Sequence, residues 1–425
     1  MPTLAIAALS ARALAQAAAR DGHTVLALDL FGDADTRRAA ARWWPVGDAD
    51  QQRIDPARLC TALRQAASRH GAVGWIAGSG FEADLAMLTA GAAVLPLIGN
   101  PAALWARLQD PALFFACLDN HCLPHPALLR QAPPDLAGWL RKDSASSGGS
   151  RVQAAAAFSS SGAAAAALPP TACYQRVAAG GPVSATFIAN GSAALLLGFN
   201  QQRVQALPGR PYAFAGVVGP VALPAAAAGV MRRALAVLVA EFGLRGLGSL
   251  DAMLDGEQIS LLEINPRPPA SLSLYPRCGG LGLVDAHWQA CWHGILPNLP
   301  GPHCPSTRPT TPDSAVAGLA TVYAWQAMQI DRAAAALIAG WPGAHDLPLP
   351  GTRVAAGDPL CSLSASGADA PAVHSRLDQQ TERLLATLAG PPPAPGADVT
   401  AANLPDARST TRSTTPSTTP ETCAR

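Results

Sequence analysis

The stretch 247–275, LGSLDAMLDGEQISLLEINPRPPASLSLY, constrains this chain more than any other. Two apolar-rich runs flank the turn LDGEQ, the pattern of an antiparallel hairpin. In the second run Glu263, Asn265 and Arg267 alternate with Leu262, Ile264 and Pro266. Alternate residues of a strand share a face, so one face is apolar and the other carries a carboxylate, an amide and a guanidinium in line. Pro266, Pro268 and Pro269 then end the ladder, because proline has no N–H to give. A turn centred near Gly256 and Glu257 brings Asp251 to within about one position of Glu263 across the pair. Two carboxylates and an amide oxygen form a hard-oxygen set suited to Mg²⁺. The fork of Arg267 suits a transferring phosphoryl group or a developing oxyanion. The plain structural alternative is a solvated hairpin edge followed by a surface arginine.

Lys142 adds weight to the first reading. It is the only lysine in the chain; the other 29 basic residues are arginine. It stands directly before KDSASSGGS, where Ser147, Gly148 and Gly149 form a turn-rich loop. An ammonium is a compact point charge that suits phosphate, and glycines let backbone N–H groups approach an anion. A chance lysine on a flexible turn is the alternative. A lysine on a glycine loop, a carboxylate–amide pair and an arginine are together the parts that phosphoryl transfer needs.

At 425 residues two to three domains are expected. Strand and helix alternate through residue 100, including HTVLALDLF and AVGWIAG, which argues a doubly wound parallel sheet. Helices and mixed strands follow to about residue 299. Residues 300–315 have linker composition, 316–390 form a small α/β module, and the Pro/Ser/Thr-rich 391–425 read as a disordered tail. The balance of 30 basic and 29 acidic residues gives no sign of a nucleic-acid or membrane surface. No run is apolar enough to span a bilayer. The nine cysteines include no CxxC pair, and unpaired thiols in that number fit a cytoplasmic protein. Cys117, His121, Cys122 and His125 lie close together without the second half of a zinc site.

GSGFEA (78–83) has the form of a dinucleotide fingerprint. However, it follows the third strand rather than the first, and no acid ends a strand about 20 residues later. A tight strand-to-helix turn beside a substrate cleft is the favoured reading, with a nicotinamide oxidoreductase as the minor one.

With these residues in view, the chain resembles the ATP-grasp superfamily of carboxylate ligases. LEINPRP is similar to that family's metal strand, and the Asp251, Glu263 and Asn265 spacing and the K-x5-GG loop fit as well. The resemblance implies an α/β ATP-grasp fold with an N-terminal Rossmann-like domain and a small C-terminal β module. It implies ATP clasped between two sheets, with Lys142, Ser147, Gly148 and Gly149 at the phosphates. Gln175, Arg176 and Val177 would lie at the adenine side, and Asp251, Glu263 and Asn265 would hold Mg²⁺ or Mn²⁺. Arg267 would steady the transferred group. Two positions depart from the family pattern: Gln109 stands where a second phosphate lysine is common, and Gln175-Arg176 where a ribose-binding glutamate is common. LDLFGDADTR, GSGFE, FAGVVGPVAL and INPRPPASLSLY further resemble ATP-grasp proteins of one-carbon cofactor pathways, relatives of the tyramine–glutamate ligase that builds methanofuran. The implied activity joins a small-molecule carboxylate to an amine through an acyl phosphate. A nucleotide-binding body without ligase activity is the alternative, and a homodimer is among the assemblies allowed.

Overall fold

A computed structural model describes residues 1–161, 168–298 and 316–389. The linker 300–315 and the tail 391–425 therefore lie outside the described residues. The chain opens with β1 (Thr3–Ala7), α1 (Arg12–Arg20), β2 (Thr24–Asp29), α2 (Ala34–Ala39), β3 (Arg42–Pro45), α3 (Pro56–His70) and β4 (Ala72–Ala77). Their order in the sheet is β3-β2-β1-β4, with all neighbours parallel. Near-continuous apolar runs such as TLAIA and TVLALD suit strands covered on both faces. AVLPLIG (93–99), the run that closes the strand and helix alternation expected through residue 100, meets the sheet only beside Trp75, whose N–H donates to the Pro96 carbonyl at 2.9 Å and whose carbonyl accepts the Ile98 N–H at 2.7 Å.

Besides three two-stranded pairings, two larger sheets follow among the described residues. The smaller contains β5 (Leu128–Leu129), β6 (Trp139–Asp143), β7 (Val152–Ala154) and β8 (Ala172–Arg176), in the order β5-β8-β6-β7. The larger begins with β9 (Gly181–Asn190), β10 (Ala194–Leu207), β11 (Arg210–Val221), β12 (Arg245–Asp255) and β13 (Gln258–Asn265). It ends with β14 (Val316–Tyr323), β15 (Ala344–His345) and β16 (Pro359–Gly367). Its order is β13-β12-β9-β10-β11-β14-β16-β15. Three of the strands from residue 316 onward therefore extend the main sheet, while Met328–Gln329 and Arg353–Val354 pair with each other apart from it. Gly216 allows this junction: a Cβ there would lie 2.1 Å from the Leu319 carbonyl oxygen.

The helix Ala225–Phe242 buries Met231, Leu235, Leu238 and Phe242 beneath the large sheet, in one cluster with Leu250, Leu261 and Trp75. A second cluster joins Leu4, Ile6 and Leu14 to Leu247, Leu272 and Tyr275. The N-terminal sheet is thus packed onto the large sheet through apolar surface, the dominant favourable term in such contacts.

Polar ties complete the junction. Arg12 gives two hydrogen bonds to Asp346, from Nε at 3.0 Å and Nη2 at 2.9 Å. Asp35 accepts the N–H groups of Asp346 and Leu347 at 2.9 and 3.0 Å. Asp33 lies beside them, and burial together with Asp346, Asp29 and Asp35 raises its carboxyl well above the usual range.

His287 is fully enclosed where the two bodies meet. Its Nδ1 accepts the Leu247 N–H at 2.9 Å, so Nε2 carries the proton and donates to the Ile98 carbonyl at 2.9 Å. A second ring proton would oppose the Leu247 N–H. Burial lowers this imidazole from 6.5 to about 4. Below 6.5 the unfolded chain takes up a proton that the folded chain refuses, so this stabilisation is complete above 6.5 and lost as pH falls toward 4. The thermal midpoint should drop on acidification across that window, by on the order of a few kcal/mol of stability at the acid end. The His287→Gln variant, less stable at neutral pH, should lack this part of the slope.

Candidate functional site

The hairpin forms as β12 and β13, with Asp255 opposite Gln258 and Gly256 supplying a φ of +60° in the two-residue turn. Counting back from the turn, a regular ladder would set Asp251 against Leu262. Instead the register shifts after Asp251, and Asp251 faces Glu263 with Ser249 facing Asn265. Directly opposed residues share a face. The bulge at Leu262 is therefore what puts both carboxylates and the amide on one side of the sheet.

Lys142 arrives from the other sheet. On β6 it stands opposite Cys173 of β8, and its Nζ meets Glu263 Oε2 at 2.5 Å. The Lys142 side chain is 12% exposed and that of Glu263 41%, so the pair lines a cleft that water still reaches. Burial pulls the ammonium down, but Glu263, Cys173 and Asp251 outweigh it and hold Lys142 above its ordinary value. Burial pushes Glu263 up, but Lys142, Asn265 and Arg267 outweigh it and leave the carboxylate below its ordinary value. Asp251 behaves oppositely: burial and the charge of Glu263 push it up to about 7.

Asn265 Nδ2 donates to Asp251 Oδ2 at 3.1 Å and to Glu263 Oε1 at 3.5 Å. Asp251 Oδ1 is buried without a hydrogen-bond partner of good geometry, although the Gln202 side chain stands close enough to lower the carboxyl. An orphaned carboxylate oxygen beside a second carboxylate is the environment a hard cation satisfies. Asn265 would have to rotate its amide to present oxygen. Among the described residues no three His, Cys, Asp or Glu side chains converge as a metal site, so the candidate set is two carboxylates and one amide. The Cys117–His125 group is engaged otherwise: His121 meets Glu241 at 3.3 Å and His125 meets Asp119 at 2.8 Å.

Arg267 reaches the same cleft from the end of β13, its charge lowering both Asp251 and Glu263. Its Nε donates to Glu82 Oε1 at 2.6 Å. Glu82 belongs to GSGFEA, so that turn delivers an acid to the cleft, a role the fingerprint form concealed. Gln109 is also fixed, its Nε2 donating to the Glu82 backbone carbonyl at 2.9 Å.

The loop after Lys142 folds back on itself through Asp143, which accepts from Thr171 Oγ1 at 2.7 Å, Ala145 N at 3.0 Å and Arg151 Nη1 at 2.9 Å. The Ser147 carbonyl accepts the Ser150 N–H at 3.2 Å, and the Gly148 carbonyl accepts the Phe214 N–H of β11 at 3.0 Å. The loop therefore spans from the small sheet to the large one.

At the other end of β8, Gln175 is buried and its Nε2 has no partner. Arg176 is exposed, with Nη1 donating to the Ala137 carbonyl at 3.0 Å. Val177 donates its N–H to Gly138 O at 2.9 Å, which leaves only its carbonyl for a ligand.

The tail of the opening stretch turns away from the cleft. Tyr275 donates to Asn200 Oδ1 at 2.6 Å, Asn200 Nδ2 donates to Thr186 Oγ1 at 2.9 Å, and Thr186 meets Ser271 Oγ at 2.6 Å. All four side chains are buried, so Ser271 and Tyr275 fasten the segment after Arg267 to β9 and β10. Ser273 bonds the Ala270 carbonyl at 3.0 Å.

Residues 109–271 match the ATP-grasp domain family. No curated protein matches the sequence. Among solved structures, the biotin carboxylase domain of a single-chain bacterial carboxylase is similar with a TM-score of 0.63 at 17% identity, over 92% of this chain and 93% of that one. Biotin carboxylase from Campylobacter jejuni, solved as a β-γ-ATP complex, gives 0.61 at 13% identity over 91% and 94%. The biotin carboxylase domain dimer of Hydrogenobacter thermophilus 2-oxoglutarate carboxylase, solved with MgADP, ADP and bicarbonate, gives 0.63 at 12% over 91% and 93%. Likeness at these identities is likeness of fold, and the fold is ATP-grasp. Among the described residues no helix is long and apolar enough to cross a membrane.

The loop geometry is testable by itself. Gly149 has φ +73°, and a Cβ there would lie 2.0 Å from the Tyr212 carbonyl oxygen. Gly149→Ala should lift the loop from β11 at a cost of about 1–3 kcal/mol. Trypsin should then cut after the exposed Arg151 at least several-fold faster than in the wild-type chain.

Proposed function

We propose that the chain is an ATP-dependent carboxylate–amine ligase acting through an acyl phosphate. The observation that carries this reading is the meeting of Lys142 from one sheet with Glu263 and Asp251 from the other, under a glycine loop that bridges both. Such a cleft gathers one cation for phosphate oxygens, an oxygen set for a divalent ion and an arginine for the transferred group. Few other chemistries need all three side by side.

In this reading a substrate carboxylate oxygen attacks the γ-phosphorus, the bond to the β–γ bridging oxygen breaks, and ADP leaves. An amine nitrogen then attacks the acyl carbon, phosphate departs, and the new amide nitrogen loses a proton. Lys142 leaves Glu263 for phosphate oxygens when nucleotide enters, while Ser147, Gly148 and Gly149 cover them. Gln175, Arg176 and Val177 lie toward the base. Arg267 offers its terminal N–H groups to the charge that develops in both steps. Asp251, Glu263 and Asn265 would hold Mg²⁺ or Mn²⁺, which when bound neutralises phosphate charge and orients the γ-phosphoryl group. The loop excludes water, which would otherwise hydrolyse the acyl phosphate.

The motif resemblances to one-carbon cofactor ligases lead us to propose an acid and an amine from that kind of pathway. A second reading takes bicarbonate as the carboxylate, favoured by the bicarbonate with which the Hydrogenobacter relative was solved. ADP release dependent on bicarbonate and free biotin would select it over amide formation.

Glu263→Gln should abolish ADP release with candidate acid and amine pairs while leaving the melting temperature within a few degrees of wild type. Persisting activity in that variant would remove the metal and phosphate assignment. Mg-ATP, and not NAD(H), should raise the melting temperature of the wild-type chain. ATP binding without ADP release under any substrate pair would favour the non-ligating alternative.

A further inference from the structure

We infer that Glu82 is a positioning residue for Arg267, and that GSGFEA is a clamp and not a nucleotide fingerprint. The inference rests on the ligase reading for what Arg267 does, but its geometry stands apart from that reading. Glu82 and Arg267 lie 185 residues apart, one on the turn after β4 and the other at the end of β13. Their side chains are 8% and 12% exposed, which is dry enough for a charge-assisted hydrogen bond to hold one geometry.

The clamp is itself held on three sides. Glu82 Oε2 accepts the Gly80 N–H at 2.7 Å, so the carboxylate is oriented by its own turn. The Glu82 carbonyl accepts Gln109 Nε2 at 2.9 Å. Phe81 is fully buried, its ring centroid 5.6 Å from that of Trp75. Gly80 adopts φ +111° with Leu9 packed where a Cβ would stand, so the turn has one tight form. Glu82 therefore has little freedom, and it passes that rigidity to the guanidinium.

Bonding through Nε sets the plane and direction of the guanidinium while leaving the terminal nitrogens available. The pairing also settles a competition. Asp251, Glu263 and Glu82 all attract Arg267, while Lys142 is committed to Glu263. With Glu82 absent, the guanidinium would collapse toward Asp251 and Glu263. That collapse would occupy the oxygens proposed for the divalent ion and withdraw the arginine from the transferred group. A misplacement of that size costs rate more than affinity, because the lost contacts form mainly in the transition state.

The test compares Glu82→Gln and Glu82→Ala with the full-length wild-type chain, following ADP release across ATP concentrations. We expect kcat to fall by about 10–100-fold in Glu82→Ala, with KM for ATP within about threefold and the Mg-ATP melting shift retained. Glu82→Gln keeps an acceptor oxygen and should lose less, which also guards against a folding defect in the alanine variant. Unchanged kcat in Glu82→Ala, or a rise in KM without a fall in kcat, would overturn the inference. If the wild-type chain releases no ADP at all, the ligase reading fails and the clamp is judged by nitrogen-15 NMR alone. A solvent-protected Arg267 Nε–H signal lost in Glu82→Ala supports it, and a signal unaffected by the substitution sinks it.

Discussion

The contact between Lys142 and Glu263 joins two sheets that share no hydrogen-bonded strand. Everything else at the site is arranged around it. The bulge at Leu262 must turn Glu263 toward the small sheet, and the strand pair of Lys142 and Cys173 must present the ammonium to the large one. The pair also explains how neighbouring carboxylates coexist. Two acids facing one another across a ladder cannot both ionise freely, and here one takes the cation while the other, Asp251, is pushed up to about 7.

Much of this was legible in the sequence. The alternation of Glu263, Asn265 and Arg267 with apolar neighbours, the turn at Gly256 and the isolated lysine before its glycine loop all depend on local chemistry, which a single sequence records. The parallel N-terminal sheet was readable for the same reason. The bulge was not readable, since a two-against-one register is chosen by packing on both faces and leaves no mark in residue type. Nor was the continuation of the large sheet past residue 316. Pairing of β11 with β14 rests on a close backbone approach at Gly216, and one glycine among 38 carries no such message by itself.

The instructive miss is Glu82. Its turn fitted a familiar glycine pattern, and the pattern drew attention to the glycines and away from the acid. The partner, Arg267, was visible, but a pair separated by 185 residues is a property of the tertiary fold. Ser271 and Tyr275 show the reverse: polar residues close in sequence to Arg267 are spent on buried hydrogen bonds with Thr186 and Asn200 that fasten the scaffold.

Holding the only lysine in an ion pair has a chemical consequence of its own. Nucleophilicity toward activated acyl groups belongs to the neutral amine; Glu263 holds Lys142 above its ordinary value before nucleotide enters, and in the proposed reaction the anionic phosphate oxygens would take over that part. Under the proposed reaction, a neutral lysine beside the acyl phosphate would compete with the amine substrate as acceptor. The 29 other basic side chains are guanidinium groups, which resist acylation by remaining protonated, so Lys142 is the one side-chain amine in the sequence that such chemistry could modify.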